Sequence, residues 1–180
     1  NPTAITIEAW IKPSVLQAGN FVNKGDNTGY RFRIEASGNF VFFDRGATNN
    51  LASKYYTKAG EWVYVVATGD SSGLKIYING ELDSSKSTAY GSPSTTANLI
   101  LGRYSTGAEY FAGAIDEVRI SNIARTPEEI QRNYLNSYGR YFGRYASGQI
   151  NLGGQNIIDS LSWSSYGNNT GDGETPFSTT

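Results

Sequence analysis

Leu74-Lys75-Ile76-Tyr77-Ile78-Asn79-Gly80-Glu81-Leu82 reads as a tight β-hairpin. Asn-Gly supplies the two positive-φ residues of a type I′ turn, whose twist matches that of the strands on either side. Moving outward, Trp62 to Ala67 is a near-continuous apolar run, the pattern of a central strand covered on both faces. In Ile5-Thr6-Ile7-Glu8-Ala9-Trp10-Ile11-Lys12 the odd positions share one apolar face, and Pro13 ends the run. Phe21 to Lys24, the alternating Tyr30 to Glu35, and Phe40 to Phe43 after the turn residues Ser37-Gly38-Asn39 add further strands. Leu99 to Gly102 and Gly113 to Ile120 are the next ones.

One segment breaks the period of two. Thr126-Pro127-Glu128-Glu129 places an N-cap Thr three residues before a Glu, with Pro at the first helical position. Ile130, Tyr134 and Leu135 form a short apolar stripe, so a helix is predicted over Thr126 to Ser137, with Gly139 as its stop. Many short strands, regular turns and one peripheral helix predict an all-β, two-sheet antiparallel sandwich. Residues 140–163 carry short strand-like pieces, and residues 164–180 are Ser, Asn, Gly and Thr with little to bury. The expected organisation is therefore a sandwich over 1–139 and a C-terminal extension over 140–180, either a linker or an inter-subunit strand segment.

Composition excludes whole classes of function. Fifteen basic against sixteen acidic residues leave no electrostatic footprint for nucleic acid and no polybasic membrane patch. No apolar run approaches the roughly 20 residues that a membrane helix needs. The chain has no Cys and no His, which removes disulfides, thiolate chemistry and every Ser-His-Asp arrangement. It also has no Met, which reads as a processed or excised piece.

Several stretches together resemble a known family. Ile5 to Pro13, Asn23-Lys24-Gly25-Asp26 before Gly29-Tyr30, Trp62 to Ala67 and Lys75 to Gly80 follow the order seen in laminin-G-like, concanavalin-A-like jelly-roll domains. Leu101-Gly102-Arg103, Phe111 to Asn122 and Ala124 to Ile130 are the most specific part. The resemblance covers residues 3 to about 135. It implies a jelly roll on an extracellular or cell-surface protein, with glycan binding or adhesion as its role. Whole domains of the family begin with a further strand upstream, so the resemblance also implies that one sheet lacks a strand here.

The candidate sites follow from residue type. The hydrolases among such sandwiches need two carboxylates on one strand face, whereas Asp116 and Glu117 are adjacent and Glu8 stands alone on its strand. No catalytic residue is expected. Asp116 shares strand parity with Ala114, Val118 and Ile120 and is expected to point inward, compensated by backbone N–H groups or by a cation. The resemblance allows a structural Ca²⁺ there, with Asp26 as a second oxygen donor; no cofactor is required. Among the aromatics, Tyr104 and Tyr110, flanking Ser105-Thr106-Gly107, and Trp10 are the candidates for stacking on a sugar ring. Ile150, Leu152, Ile158, Leu161 and Trp163 are too apolar for a free linker and too few for a core of their own. They need a surface to bury against: that of another subunit, hence self-association into a larger structure or filament with other copies or adjoining repeats as partners, or the helix or missing-strand groove of their own domain. The alternative is a carbohydrate-binding module of a multidomain surface protein.

Overall fold

The structure, a computed structural model, describes residues 2–25, 28–35, 40–45, 49–91, 93 and 95–142. Among the described residues ten strands and one helix follow in chain order: β1 Ile5–Pro13, β2 Gly19–Lys24, β3 Tyr30–Glu35, β4 Phe40–Arg45, β5 Asn49–Tyr56, β6 Val63–Asp70, β7 Gly73–Ile78, β8 Glu81–Lys86, β9 Leu99–Leu101, β10 Gly113–Ser121 and α1 Pro127–Phe142. They form two antiparallel five-stranded sheets. The first has the order β10-β1-β6-β7-β8 and the second β5-β4-β3-β2-β9. The predicted jelly-roll sandwich is thus the observed architecture. No helix among the described residues is long and apolar enough to cross a membrane.

The alternation seen in the sequence sets the layers. Ile5, Ile7, Ala9 and Ile11 of β1, with Val63, Val65 and Ala67 of β6, point between the sheets and meet Phe21, Val22, Phe32, Ile34 and Phe43 of the second sheet. The even positions of β1 and β6 face the other way, where Trp10, Tyr64, Val66 and Tyr77 pack under Ile130 of α1. Strand β6 is therefore apolar on both faces because both are covered. Asn79 and Gly80 have φ of 50° and 84°, as the type I′ turn requires, and Asn79 Oδ1 also accepts a 3.0 Å bond from the Tyr64 N–H.

The helix begins as predicted and ends later. Thr126 Oγ1 accepts from the Glu129 N–H at 3.3 Å while Glu129 Oε2 accepts from the Thr126 N–H at 2.9 Å, a complete capping box. Gly139 does not stop the helix, which continues to Phe142. Glycine costs a helix interior only about 1 kcal/mol, which tertiary packing of the preceding turns outweighs.

The expectation for Asp116 is overturned. The β1–β10 register pairs Glu8 with Arg119 but Trp10 with Asp116, so β10 carries one extra residue at this point. Glu117 absorbs it in the left-handed region, at φ 46°. Parity reverses across this bulge: Ile115 and Val118 pack on the core, and Asp116 is exposed. A strict period of two cannot foresee a bulge.

Candidate functional site

The site is built on the outer face of the second sheet. Strand β2 has a register shift of its own, with Asn20 opposite Arg33, Val22 opposite Phe32 and Asn23 opposite Arg31. Phe21 and Val22 therefore both enter the core, where Phe21 meets Phe32 with ring centroids 4.7 Å apart. Asn20 and Asn23 are left on the outer face beside Arg31 and Arg33. Glu35 pairs with Arg33 there, and Ile100 of β9 stands opposite Asn23.

Residues 102–112 form a loop that is tied to this sheet. Its turn is held by the Tyr104 N–H donating to Ala108 O at 2.9 Å and by the Phe111 N–H donating to Gly102 O at 2.8 Å. Its tie to β2 is the Asn20 N–H, which donates to Glu109 O at 3.0 Å, together with Asn20 Nδ2, which donates to Glu109 Oε2 at 2.8 Å. Gly19 allows the approach: a Cβ there would stand 2.8 Å from Phe111 Cα. Glu109 sits at φ 47° to complete the turn.

The loop carries both tyrosines that the sequence singled out. Tyr104 is half-buried, with the Arg31 guanidinium 5.2 Å from its ring centre. Arg103 Nη1 donates to the carbonyls of Tyr104 and Ser105 and braces that position. Tyr110 is 57% exposed and bridges to Asn20 through the backbone. Opposite Arg31, Asn23 is fully buried, and neither atom of its amide has a hydrogen-bond partner. Asn20 Oδ1 is in the same state. Buried amides of this kind are costly unless water or a ligand completes them. The arrangement sets a half-buried tyrosine ring and a guanidinium beside buried amide atoms with unused hydrogen-bonding capacity, groups of the kind that recognise rings bearing hydroxyl groups.

Trp10 is not part of this site. It lies on the first sheet, fully buried under α1, stacked against Tyr134 with centroids 5.8 Å apart and donating from Nε1 to Ser137 Oγ at 2.9 Å. The even face of β1 is apolar enough to require a cover, and the helix supplies it. Glu8, two residues earlier, is also fully buried there. Its Oε2 accepts from the Tyr64 hydroxyl and, at 3.0 Å, from Asn133 Nδ2. Arg125 Nε stands 2.9 Å from Oε1, close enough for an ion pair although its N–H is not aimed at the oxygen. Burial, and then the Glu8 carboxylate that its hydroxyl donates to, push the Tyr64 phenol well above its ordinary pKa.

The residues around Asp116 do not fit a calcium ion. Its Oδ1 accepts from the Glu117 N–H at 2.7 Å, and the neighbouring Glu117 carboxylate is engaged by Arg119 at 2.7 Å. Calcium takes six to eight oxygens, and among the described residues no three acidic side chains are grouped to hold a metal. Asp26 and the five tail residues Ile150, Leu152, Ile158, Leu161 and Trp163 lie outside the described residues.

Asn20, Asn23, Arg31 and Arg33 escaped the sequence reading. The alternation Tyr30-Arg31-Phe32-Arg33 shows that both arginines share a face, but only strand order shows that two asparagines stand beside them.

Solved structures share this fold. A protein from Bacteroides ovatus ATCC 8483 described as carbohydrate-binding superposes with a TM-score of 0.64 at 22% identity, over 74% of this chain and 41% of that one. The CBM40 of a Ruminococcus gnavus IT-sialidase, bound to α2,3-sialyllactose, gives 0.63 at 19% identity, over 74% and 83%. Domain 4 of an extracellular GH43 arabinanase from Geobacillus stearothermophilus, in complex with arabinotriose, gives 0.57 at 22% identity, over 73% and 66%. The chain thus spans less than half of the Bacteroides protein. No curated protein sequence matches it. The family model described as concanavalin A-like lectin/glucanases superfamily matches residues 1–131, and the chain belongs to that family.

Proposed function

We propose that this chain is a non-catalytic carbohydrate-binding module, working outside the cell, which takes a glycan on the outer face of its second sheet. The observation that carries the reading is the Tyr104–Arg31 stack beside the unsatisfied amide of Asn23 and the unsatisfied Oδ1 of Asn20. The glycan ligands named for the Ruminococcus and Geobacillus modules support it. Non-catalytic action is supported by Glu8: a carboxylate buried among Tyr64, Asn133 and Arg125 has no route to a substrate as acid or base. A glycan array followed by calorimetry on the best hit tests the proposal. Binding weakened about tenfold by Tyr104→Ala, with no sugar released, supports it. Saturable binding to no glycan overturns it, as does binding indifferent to both Tyr104→Ala and Tyr110→Ala.

A second reading, assembly into a larger structure, is favoured by one observation. Strand β10 ends its sheet, and the side chains of Ile120 on it and of Leu99 and Leu101 on β9 are open to solvent. Sedimentation of the full chain across a hundredfold range of concentration tests it. A rise in mass supports assembly, and a constant monomer mass refutes it.

A further inference from the structure

The outer face of the second sheet carries an exposed aromatic ring far from the loop of Tyr104 and Tyr110. Leu51 and Tyr55 of β5 pack on the core, so Tyr56, the next residue, takes the outer face, where it is 58% exposed. The same parity puts Arg33 and Glu35 of β3 on that face, since Phe32 and Ile34 enter the core. Register joins these positions in a path across the strands. Tyr56 stands opposite Phe40 of β4, and Phe40 opposite Glu35. Arg33, paired with Glu35, stands opposite Asn20 of β2, and Asn20 bridges to Tyr110. Four strand spacings of ~4.8 Å thus separate Tyr56 from Tyr110, about 19 Å.

We infer that Tyr56 is a second stacking subsite, and that the ligand is an uncharged linear oligosaccharide laid across the strands, with one sugar at the Tyr104–Tyr110 loop and another on Tyr56; the inference rests on the carbohydrate-binding reading above. An exposed phenol ring offers an apolar face and a polar tip, the combination that takes a sugar ring. Two aromatic positions on one sheet are held at a fixed separation. A chain that reaches both therefore gains the second contact as an intramolecular event, at high effective concentration. A shorter chain gains only one. The pairing of Arg33 with Glu35 leaves the path between them polar and locally balanced in charge, which suits hydroxyl groups better than a run of carboxylates or sulfates. The face then reads chain length as well as ring chemistry.

The test is calorimetry on the full chain with linear oligosaccharides of glucose, galactose, xylose or arabinose, graded from two to six sugars. Affinity should rise about tenfold once a chain is long enough to span the ~19 Å between the two positions. Tyr56→Ala should remove that rise and leave the short-chain affinity unchanged, which also shows that the variant is folded. Affinity that is flat with length overturns the inference, as does a rise that survives Tyr56→Ala or a loss that is equal at every length. In each of these cases a fall in binding with Tyr104→Ala leaves the carbohydrate-binding reading standing. Binding to none of these chains overturns the inference as well, and the glycan array then decides the carbohydrate-binding reading on its own.

Discussion

The two outer faces of the sandwich are built from strands of similar length and differ in what they ask of their surroundings. On the first sheet Trp10, Tyr64, Val66 and Tyr77 present a large apolar surface, and α1 covers it. Fully burying such side chains contributes roughly 1.5–3 kcal/mol each, and the one carboxylate among them is matched by a phenol, an amide and a guanidinium. On the second sheet the corresponding positions of β2 and β3 are Asn20, Asn23, Arg31 and Arg33. A loop reaches over them, with a tyrosine, the unsatisfied amide of Asn23 and the unsatisfied Oδ1 of Asn20 beside it. One face is used up by stability; the other keeps hydrogen-bonding capacity in reserve. Aromatic residues alone do not distinguish a candidate binding face from a covered one, since both faces have them.

The contrast is broken most severely at Trp10. Trp10→Ala should cost about 3–5 kcal/mol in chemical denaturation, because it empties the space beneath α1, and should leave glycan affinity per folded molecule unchanged. A loss of binding without a loss of stability would place the ligand on the helix side instead. Glu8→Gln should follow at about 1–3 kcal/mol, reduced from the cost of a fully buried pair because Arg125 and Arg119 are partly exposed.

Tyr104→Ala should show the opposite signature. Affinity should fall about tenfold while stability changes by less than about 1 kcal/mol, measured by calorimetry and by thermal melting on one preparation. Asp116→Ala should be near neutral, within about 0.5 kcal/mol, because the side chain is exposed at a bulge. A destabilisation that calcium reverses would restore the metal reading.

The smallest effect concerns the turn between β6 and β7. Asp70 Oδ1 accepts from the Ser72 hydroxyl at 2.6 Å and from the N–H groups of Ser72 and Gly73, which hold the carboxyl below its ordinary value. A folded-state value below the unfolded one stabilises the protein above pH about 4, and this contribution is lost as pH falls through the folded value. Asp70→Asn should flatten the decline in stability between pH 5 and 2, read from denaturation midpoints.

Much of this molecule is decided locally, and that part is legible in the sequence. The Asn79-Gly80 turn, the capping box at Thr126 and Glu129, and the inward odd face of β1 depend on neighbours one to four residues apart, so spacing alone determines them. That Tyr104 and Tyr110 belong to one loop is legible too, because they flank a small, polar segment. Other features depend on residues far apart in the chain. Whether the even face of β1 met solvent or a helix was settled by α1 folding back more than a hundred residues later, which buried Trp10 and Glu8 together. The grouping of Asn20 and Asn23 with Arg31 and Arg33 needed the β2–β3 register and its bulge. The bulge in β10 turned Asp116 outward, a choice no alternation records, because one extra residue in a strand is invisible until its partner strand is in place.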